Sequence, residues 1–145
     1  MNKVVPVTPE VLSAFLAVMS DAERADLESV GGLAMLKRTA AKSEHTFAGI
    51  VDGVPAFVGG VIGSGEVGNV WMLGAPGIAR AKKFYLRETR RQVALMLELF
   101  VCLQTMVAAE YTKSLRWLEW LGFAKGAPVE IAGRMLVPVE RWHEV

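Results

Sequence analysis

The residues with the most chemical content run Val70-Trp71-Met72-Leu73-Gly74-Ala75-Pro76-Gly77-Ile78-Ala79-Arg80. A strand-like apolar run ends in a glycine-rich turn, and a basic helical pattern follows at once. A helix that starts there presents unpaired backbone N–H groups and the positive end of its dipole to an anion. Glycine lets the backbone come close to a ligand, while Arg80, Lys82 and Lys83 add charge. This is the physics of a phosphate or pyrophosphate cradle, and it points to a nucleotide-like ligand such as coenzyme A.

The basic helix admits three readings. Arg80, Lys82 and Lys83 can grip a pyrophosphate or a ribose 3′-phosphate. The row that continues through Arg87, Arg90 and Arg91 can touch nucleic acid. It can also be a solvated helix face, the common fate of a charge run. No base-stacking aromatics interleave with the row, so nucleic acid is not expected as a partner. Trp71 is expected in the core. Trp117 and Trp120 share one helical face and suit either core packing or the cover of a cleft or partner surface.

The elements that must position these residues can be read from periodicity and punctuation. Lys3 to Val7 reads as an opening strand. Thr8 caps a helix that begins at Pro9, and Ser20 to Glu23 has the spacing of a capping box. Gly31-Gly32 ends that second helix, and Leu33 to Ala41 forms a third. His45 to Val51 and Val54 to Ile62 are β-like runs around the hairpin turn Asp52-Gly53. Gly59-Gly60 marks a bulge or a close backbone approach, and Gly63-Ser64-Gly65 is another turn. Glu66 to Leu73 forms the next strand, apolar on both faces near its end as in a central strand. Ile78 to Glu98 is the main helix, with Tyr85, Thr89, Val93 and Met96 as its inner stripe. Leu99 to Val107 is a buried strand, and Thr112 to Leu121 a helix closed by Gly122. Val129 to Ile131 and Met135 to Val139 pair around Ala132-Gly133.

Composition narrows the function classes. The chain has 145 residues, about half of them apolar, and a formal charge of +1. This suits one domain with one core and excludes a nucleic-acid-like field over the whole surface. Cys102 is the only cysteine, so an internal disulfide framework is excluded and a core thiol is expected. His45 and His143 lie far apart without a cysteine motif, so no zinc site is expected. The N-terminus lacks the apolar core of a signal peptide, and Val93 to Ala109 is too short and polar for a membrane span. A soluble intracellular protein is the expectation.

The order of elements is strand, helices, three meandering strands, long helix, strand, helix, hairpin. The fold class is therefore α/β (α+β), a mixed, mostly antiparallel sheet flanked by helices in a single domain. This order resembles the GNAT N-acetyltransferase superfamily. In that family the strand before the long helix leads into an R/Q-x-x-G-x-G/A loop that holds the pyrophosphate of acetyl-CoA. The matching hexapeptide is Gly74-Ala75-Pro76-Gly77-Ile78-Ala79, in which Gly77 and Ala79 fit the last two places. Gly74 replaces the usual Arg or Gln, and Pro76 removes a donor. Leu115 to Phe123 resembles the family's late helix with its Gly-Phe ending. Val70-Trp71, the Gly77 to Phe84 segment and the Ser114 to Gly122 helix are similar to GNAT-like proteins of tailed bacteriophages. That group includes a small internal virion protein of T7-like phages.

The resemblance implies acetyl-CoA (acyl-CoA) as cofactor and an unidentified amine as acceptor. Gly77, Ile78, Ala79 and Arg80 would hold the pyrophosphate, with Gly74 beginning the loop and Lys82 and Lys83 supplying phosphate charge. A backbone N–H near Met72 or Leu73 would polarise the thioester carbonyl. Glu66 is the best placed carboxylate for a water-mediated base. Leu118 stands where many relatives carry a tyrosine acid, and Tyr111, where an asparagine often stands, is the substitute donor. The rival reading is a catalytically inactive virion or host-interaction protein. The resemblance places the chain in the host-cell cytoplasm or in the virion.

Overall fold

Thr8 Oγ1 accepts from the Val11 N–H at 3.2 Å, and Ser20 Oγ accepts from the Glu23 N–H at 3.3 Å. The two capping residues thus begin α1 (Pro9–Val18) and α2 (Asp21–Ser29) in the computed structural model. Residues 1–143 are described. The remaining elements, in chain order, begin with β1 (Lys3–Val5), α3 (Gly32–Lys42), β2 (His45–Val51), β3 (Val54–Ser64) and β4 (Val67–Gly74). A 3-10 turn (Pro76–Arg80), α4 (Lys82–Leu99), β5 (Cys102–Ala108) and α5 (Thr112–Trp120) follow, then β6 (Ala124–Lys125), β7 (Val129–Ile131) and β8 (Arg134–Trp142). The strand order is β1-β2-β3-β4-β5-β8-β6, with β7 also on β8. β4 and β5 run parallel, whereas β1–β2, β2–β3, β5–β8, β6–β8 and β7–β8 are antiparallel. This is the expected mixed, mostly antiparallel class.

The chain divides into two compact units, Met1–Ile62 with Trp71–Gln92, and Gly63–Val70 with Val93–Val145. In the first, α1, α2 and α3 bury Leu12, Phe15, Met19, Leu27 and Leu36 in one cluster with Ala48 of β2 and Val58 of β3. The Trp71 indole packs against that cluster, and its Nε1–H donates to Ser43 Oγ at 2.9 Å. Asp52 and Gly53 both have positive φ, 51° and 81°, which the two-residue turn between β2 and β3 requires.

The opposite face of β2 and β3 is aromatic and depends on glycine. Phe47 pairs with Gly59, and Gly49 pairs with Phe57. A Cβ on Gly49 would fall inside the Phe57 ring, and one on Gly59 would lie 2.5 Å from Phe47 and 2.6 Å from Met72. Each ring therefore occupies the space that its partner's missing side chain leaves. At Gly59-Gly60 the explanation is close approach, since the β2–β3 register shift falls at Gly49/Ile50. Phe57 then carries α4, with its centroid 5.9 Å from Phe84 and 5.0 Å from Tyr85 in an edge-on contact.

In the second unit the parallel register runs from Val67↔Cys102 to Asn69↔Gln104, and β5 and β8 pair from Cys102↔Trp142 to Ala108↔Leu136. Gly122 (φ 95°) ends α5, and the Phe123 N–H returns to Leu118 O at 3.0 Å. Leu115, Leu118, Leu121 and Phe123 are buried. Ala132 and Gly133, again both at positive φ, turn β7 into β8.

Several boundaries differ from the sequence reading: β1 stops at Val5 instead of Val7, α3 spans Gly32–Lys42, and β8 extends from Arg134 to Trp142. Gly63 and Ser64 complete β3, so the turn is Gly65-Glu66 and Glu66 precedes β4 instead of opening it. Residues 76–80 wind as a 3-10 turn, so α4 begins at Lys82 and not at Ile78. Leu99 closes α4, and β5 starts three residues later. The inner stripe of α4 is as expected, with Thr89, Val93 and Met96 wholly buried.

Two outcomes follow from this packing. Gly49→Ala should lower unfolding free energy by about 1–3 kcal/mol in a denaturant titration, because the Phe57 ring has to leave its slot. Burial, and secondarily the Glu140 carboxylate, raises the Cys102 thiol pKa above its usual value. The thiolate is therefore scarcer than in a free cysteine, and native Cys102 should alkylate at least tenfold more slowly at pH 8 than the unfolded chain.

Candidate functional site

The loop after β4 is fixed before any charge is considered. Ala75 N–H donates to Ala56 O of β3 at 2.8 Å, which clamps the end of β4. Pro76, with its preset φ and no N–H, then opens the 3-10 turn. Ile78 N–H donates to Ala75 O at 3.1 Å and Ala81 N–H to Ile78 O at 3.0 Å. The amides of Ala79 and Arg80 fall within the same i→i+3 ladder. The amides from Ile78 to Ala81 are thus spent inside the turn, and Gly77 lies ahead of the ladder's first donor.

Among the described residues, donors without an internal partner follow at once, from Lys82. The Tyr85 N–H returns to Ala81 O at 2.9 Å. The N–H groups of Lys82, Lys83 and Phe84 have no carbonyl four residues back within α4. They border a hollow of about 590 Å³ whose lining includes Asn2, Arg80, Lys82, Lys83 and Arg87. Charge there is unevenly committed. Arg80 Nε lies 3.8 Å from Asp52 Oδ2. Arg87 is 3.2 Å and Arg91 3.6 Å from the two oxygens of the buried Glu88, and the Arg87 guanidinium stands over the Phe84 ring. Among the described residues, Lys82 and Lys83 pair with no carboxylate. Glu88 thus neutralises part of the basic row, which removes support for a continuous nucleic-acid face.

The strand supplies a directional amide. Because Ala75 N–H faces β3 and amides alternate along an extended chain, Leu73 N–H also faces β3. Met72 and Gly74 point theirs to the other edge of β4. Neither loop glycine is required by the protein's own packing. A Cβ on Gly77 would make ordinary 3.5 Å contacts with Ala56 and Arg80, and one on Gly74 would meet only the Ile78 Cδ1 tip at 2.7 Å.

The two candidate proton-transfer residues belong to the second unit. Glu66 is exposed in its turn, where its backbone carbonyl accepts from Val101 N–H at 2.9 Å. Tyr111 precedes α5 and is 44% exposed. Its Oη accepts from Arg134 Nη2 at 3.2 Å, and Arg134 also bonds Glu110. Leu118 is buried. Trp117 is half-buried and Trp120 exposed. Among the described residues no cluster of three or more His, Cys, Asp or Glu could hold a metal, and no helix is long and apolar enough to cross a membrane.

No family model and no curated protein matches the sequence. Solved structures do match over nearly the whole chain. An acetyltransferase of the GNAT family from Streptococcus pneumoniae superposes with a TM-score of 0.72 at 12% identity, covering 99% of this chain and 100% of its own. The fold is that of the GNAT acetyltransferases. Ribosomal-protein-S5-alanine acetyltransferase from Vibrio fischeri gives a TM-score of 0.74 at 9% identity, with 99% and 93% coverage. The aminoglycoside acetyltransferase AAC(6')-Ib, solved with coenzyme A and kanamycin, gives 0.71 at 15% identity, with 98% and 95% coverage.

Within this GNAT fold the sequence reading did not assign four contributors to the hollow: Asn2, Ala81, Phe84 and Arg87. Pro76 carried part of the missing signal, since a proline just past a strand favours a tight turn before the helix proper. Asn2 had no local signal, because only the pairing of β1 with β2 brings it near α4. Gly77→Ala should leave the melting temperature within about 2 °C of the parent, a change of roughly 0.5 kcal/mol. A larger loss would show that the loop backbone is not the one described.

Proposed function

We propose that this chain binds acetyl-CoA or another acyl-CoA and transfers the acyl group to an amine, acting as one GNAT-like domain. The observation that carries the reading is the first turn of α4, where three unpartnered amides and two uncommitted lysines converge on one hollow. That donor set suits a diphosphate. Lys82 and Lys83 would neutralise it, Arg80 would add charge, and Ala79 would form the wall beside it, backed by Gly77 and Ile78 of the same turn. Bound acyl-CoA would supply an activated thioester.

The chain's own groups account for the remaining roles. Met72 N–H, directed away from β3, is the candidate to polarise a carbonyl, in preference to Leu73. Glu66 is exposed enough to act as a base only through water, and Tyr111 is the candidate acid. Solved structures of AAC(6')-Ib with coenzyme A or acetyl-CoA support the cofactor assignment. The sequence likeness of Val70-Trp71, Gly77 to Phe84 and Ser114 to Gly122 supports a phage-type member, active in the host cytoplasm or carried in the virion.

A second reading, a catalytically inactive virion or host-interaction protein on the same fold, is favoured by specific observations. The Ile78–Ala81 amides are consumed, Leu118 offers no proton, and the Tyr111 hydroxyl is engaged by Arg134.

Calorimetric titration with acetyl-CoA separates these outcomes. Saturable binding is expected, with a stability gain of about 2.7 kcal/mol at one hundred times Kd. Lys82→Ala with Lys83→Ala should weaken binding at least tenfold, while Gly77→Asp, outside the hollow's lining but beside Arg80, should weaken it only several-fold in a folded protein. Absence of binding at millimolar acetyl-CoA would overturn the proposal. That absence would favour the second reading, whereas binding without thiol release on an amine panel would leave a binding-only protein.

A further inference from the structure

The second unit carries a hollow of about 570 Å³ on one face of its strands. A register row crosses it, in which Asn69 lies opposite Gln104, Gln104 opposite Glu140, and Glu140 opposite Ala124. Residues paired in this way carry their side chains on the same face, about 5 Å apart. Two carboxamides, a carboxylate and a methyl group therefore stand side by side, and the small Ala124 leaves space at the end of the row.

Hydrogen bonding along the row leaves acceptors in excess. Gln104 Nε2 donates to Asn69 Oδ1 at 2.9 Å, so Gln104 Oε1 is left as an acceptor. Trp142 Nε1 donates to Glu140 Oε1 at 3.1 Å, and among the described residues nothing donates to the second carboxylate oxygen. The one cation of the wall, Lys125, is held by Glu119 at 2.9 Å. An amide oxygen and a carboxylate oxygen on adjacent strands thus lack donors, and one negative charge is uncompensated.

An ammonium group answers both needs, with three N–H donors and a single positive charge. A carboxylate or phosphate would find no uncommitted cation there. A neutral alcohol would supply one donor and leave the charge unpaired. Met106 and Pro138, paired in the next row, give an apolar wall for a short hydrocarbon body. We infer that this hollow binds a small, singly charged primary amine, held by the Glu140 carboxylate and the Gln104 side-chain carbonyl. The site lies wholly within the second unit and needs no cofactor. Only its use as an acceptor subsite rests on the acyl-transfer reading above.

The test is a titration of the whole chain with 1-butylamine, read from the Trp142 indole N–H resonance in a ¹⁵N-labelled sample. The indole is bonded to Glu140, so a saturable shift is expected. Glu140→Gln, which retains an oxygen for the indole, should weaken 1-butylamine binding at least tenfold. Gln104→Ala should weaken it several-fold, with melting temperatures confirming the folds. No saturable shift, equal affinity in Glu140→Gln, or equal affinity for 1-butanol would overturn the inference. Acetyl-CoA is titrated separately into the same samples. Amine binding without acetyl-CoA binding would remove the acyl-transfer reading and leave this site standing.

Discussion

The first unit depends on a reciprocal exchange between aromatic rings and absent side chains. Phe57 fills the place of a Cβ on Gly49, and Phe47 and Met72 fill that of Gly59. This lets β2 and β3 lie under a continuous aromatic layer, on which Phe84 and Tyr85 rest. The start of α4 is placed by that layer and not by its own charges. Burial also raises the Tyr85 hydroxyl pKa well above its usual value, in keeping with a structural ring. The exposed lysines of the first turn thereby gain a fixed base.

The backbone decides how the charged residues can be used. Pro76 and the Ala75–Ala56 bond turn five residues into a 3-10 segment, whose internal bonds take up the amides from Ile78 to Arg80 that the glycine pattern predicts to be open. Among the described residues, the unpartnered N–H groups at the start of the helix are those of Lys82, Lys83 and Phe84. Glu88, a buried residue of the same helix, takes up Arg87 and Arg91. A row of similar basic residues is therefore divided into a partly compensated middle and a start whose lysines pair with no carboxylate among the described residues.

Much of this was legible in the sequence, for local reasons. Thr8 and Ser20 announced their helices through caps, Asp52-Gly53 and Ala132-Gly133 announced their turns through positive φ, and Gly122 announced the end of α5. The inner stripe of α4 followed from its 3.6-residue period. Other features depend on long-range pairing. Glu66 looks like the first residue of a strand until β3 proves to extend through Ser64. The direction of the Met72 amide follows only from the Ala75–Ala56 bond. The row of Asn69, Gln104 and Glu140 draws on three strands and exists only through register.

The central claim is that the α4 first turn, and not the preceding glycine loop, receives the anion. Backbone amide resonances of a ¹⁵N-labelled sample titrated with adenosine 3′,5′-bisphosphate or coenzyme A test this directly. The account predicts the largest downfield shifts at Lys82, Lys83 and Phe84, with Ile78, Ala79 and Arg80 nearly unmoved. Shifts concentrated at Ile78 to Arg80, with residues 82–84 silent, would contradict it.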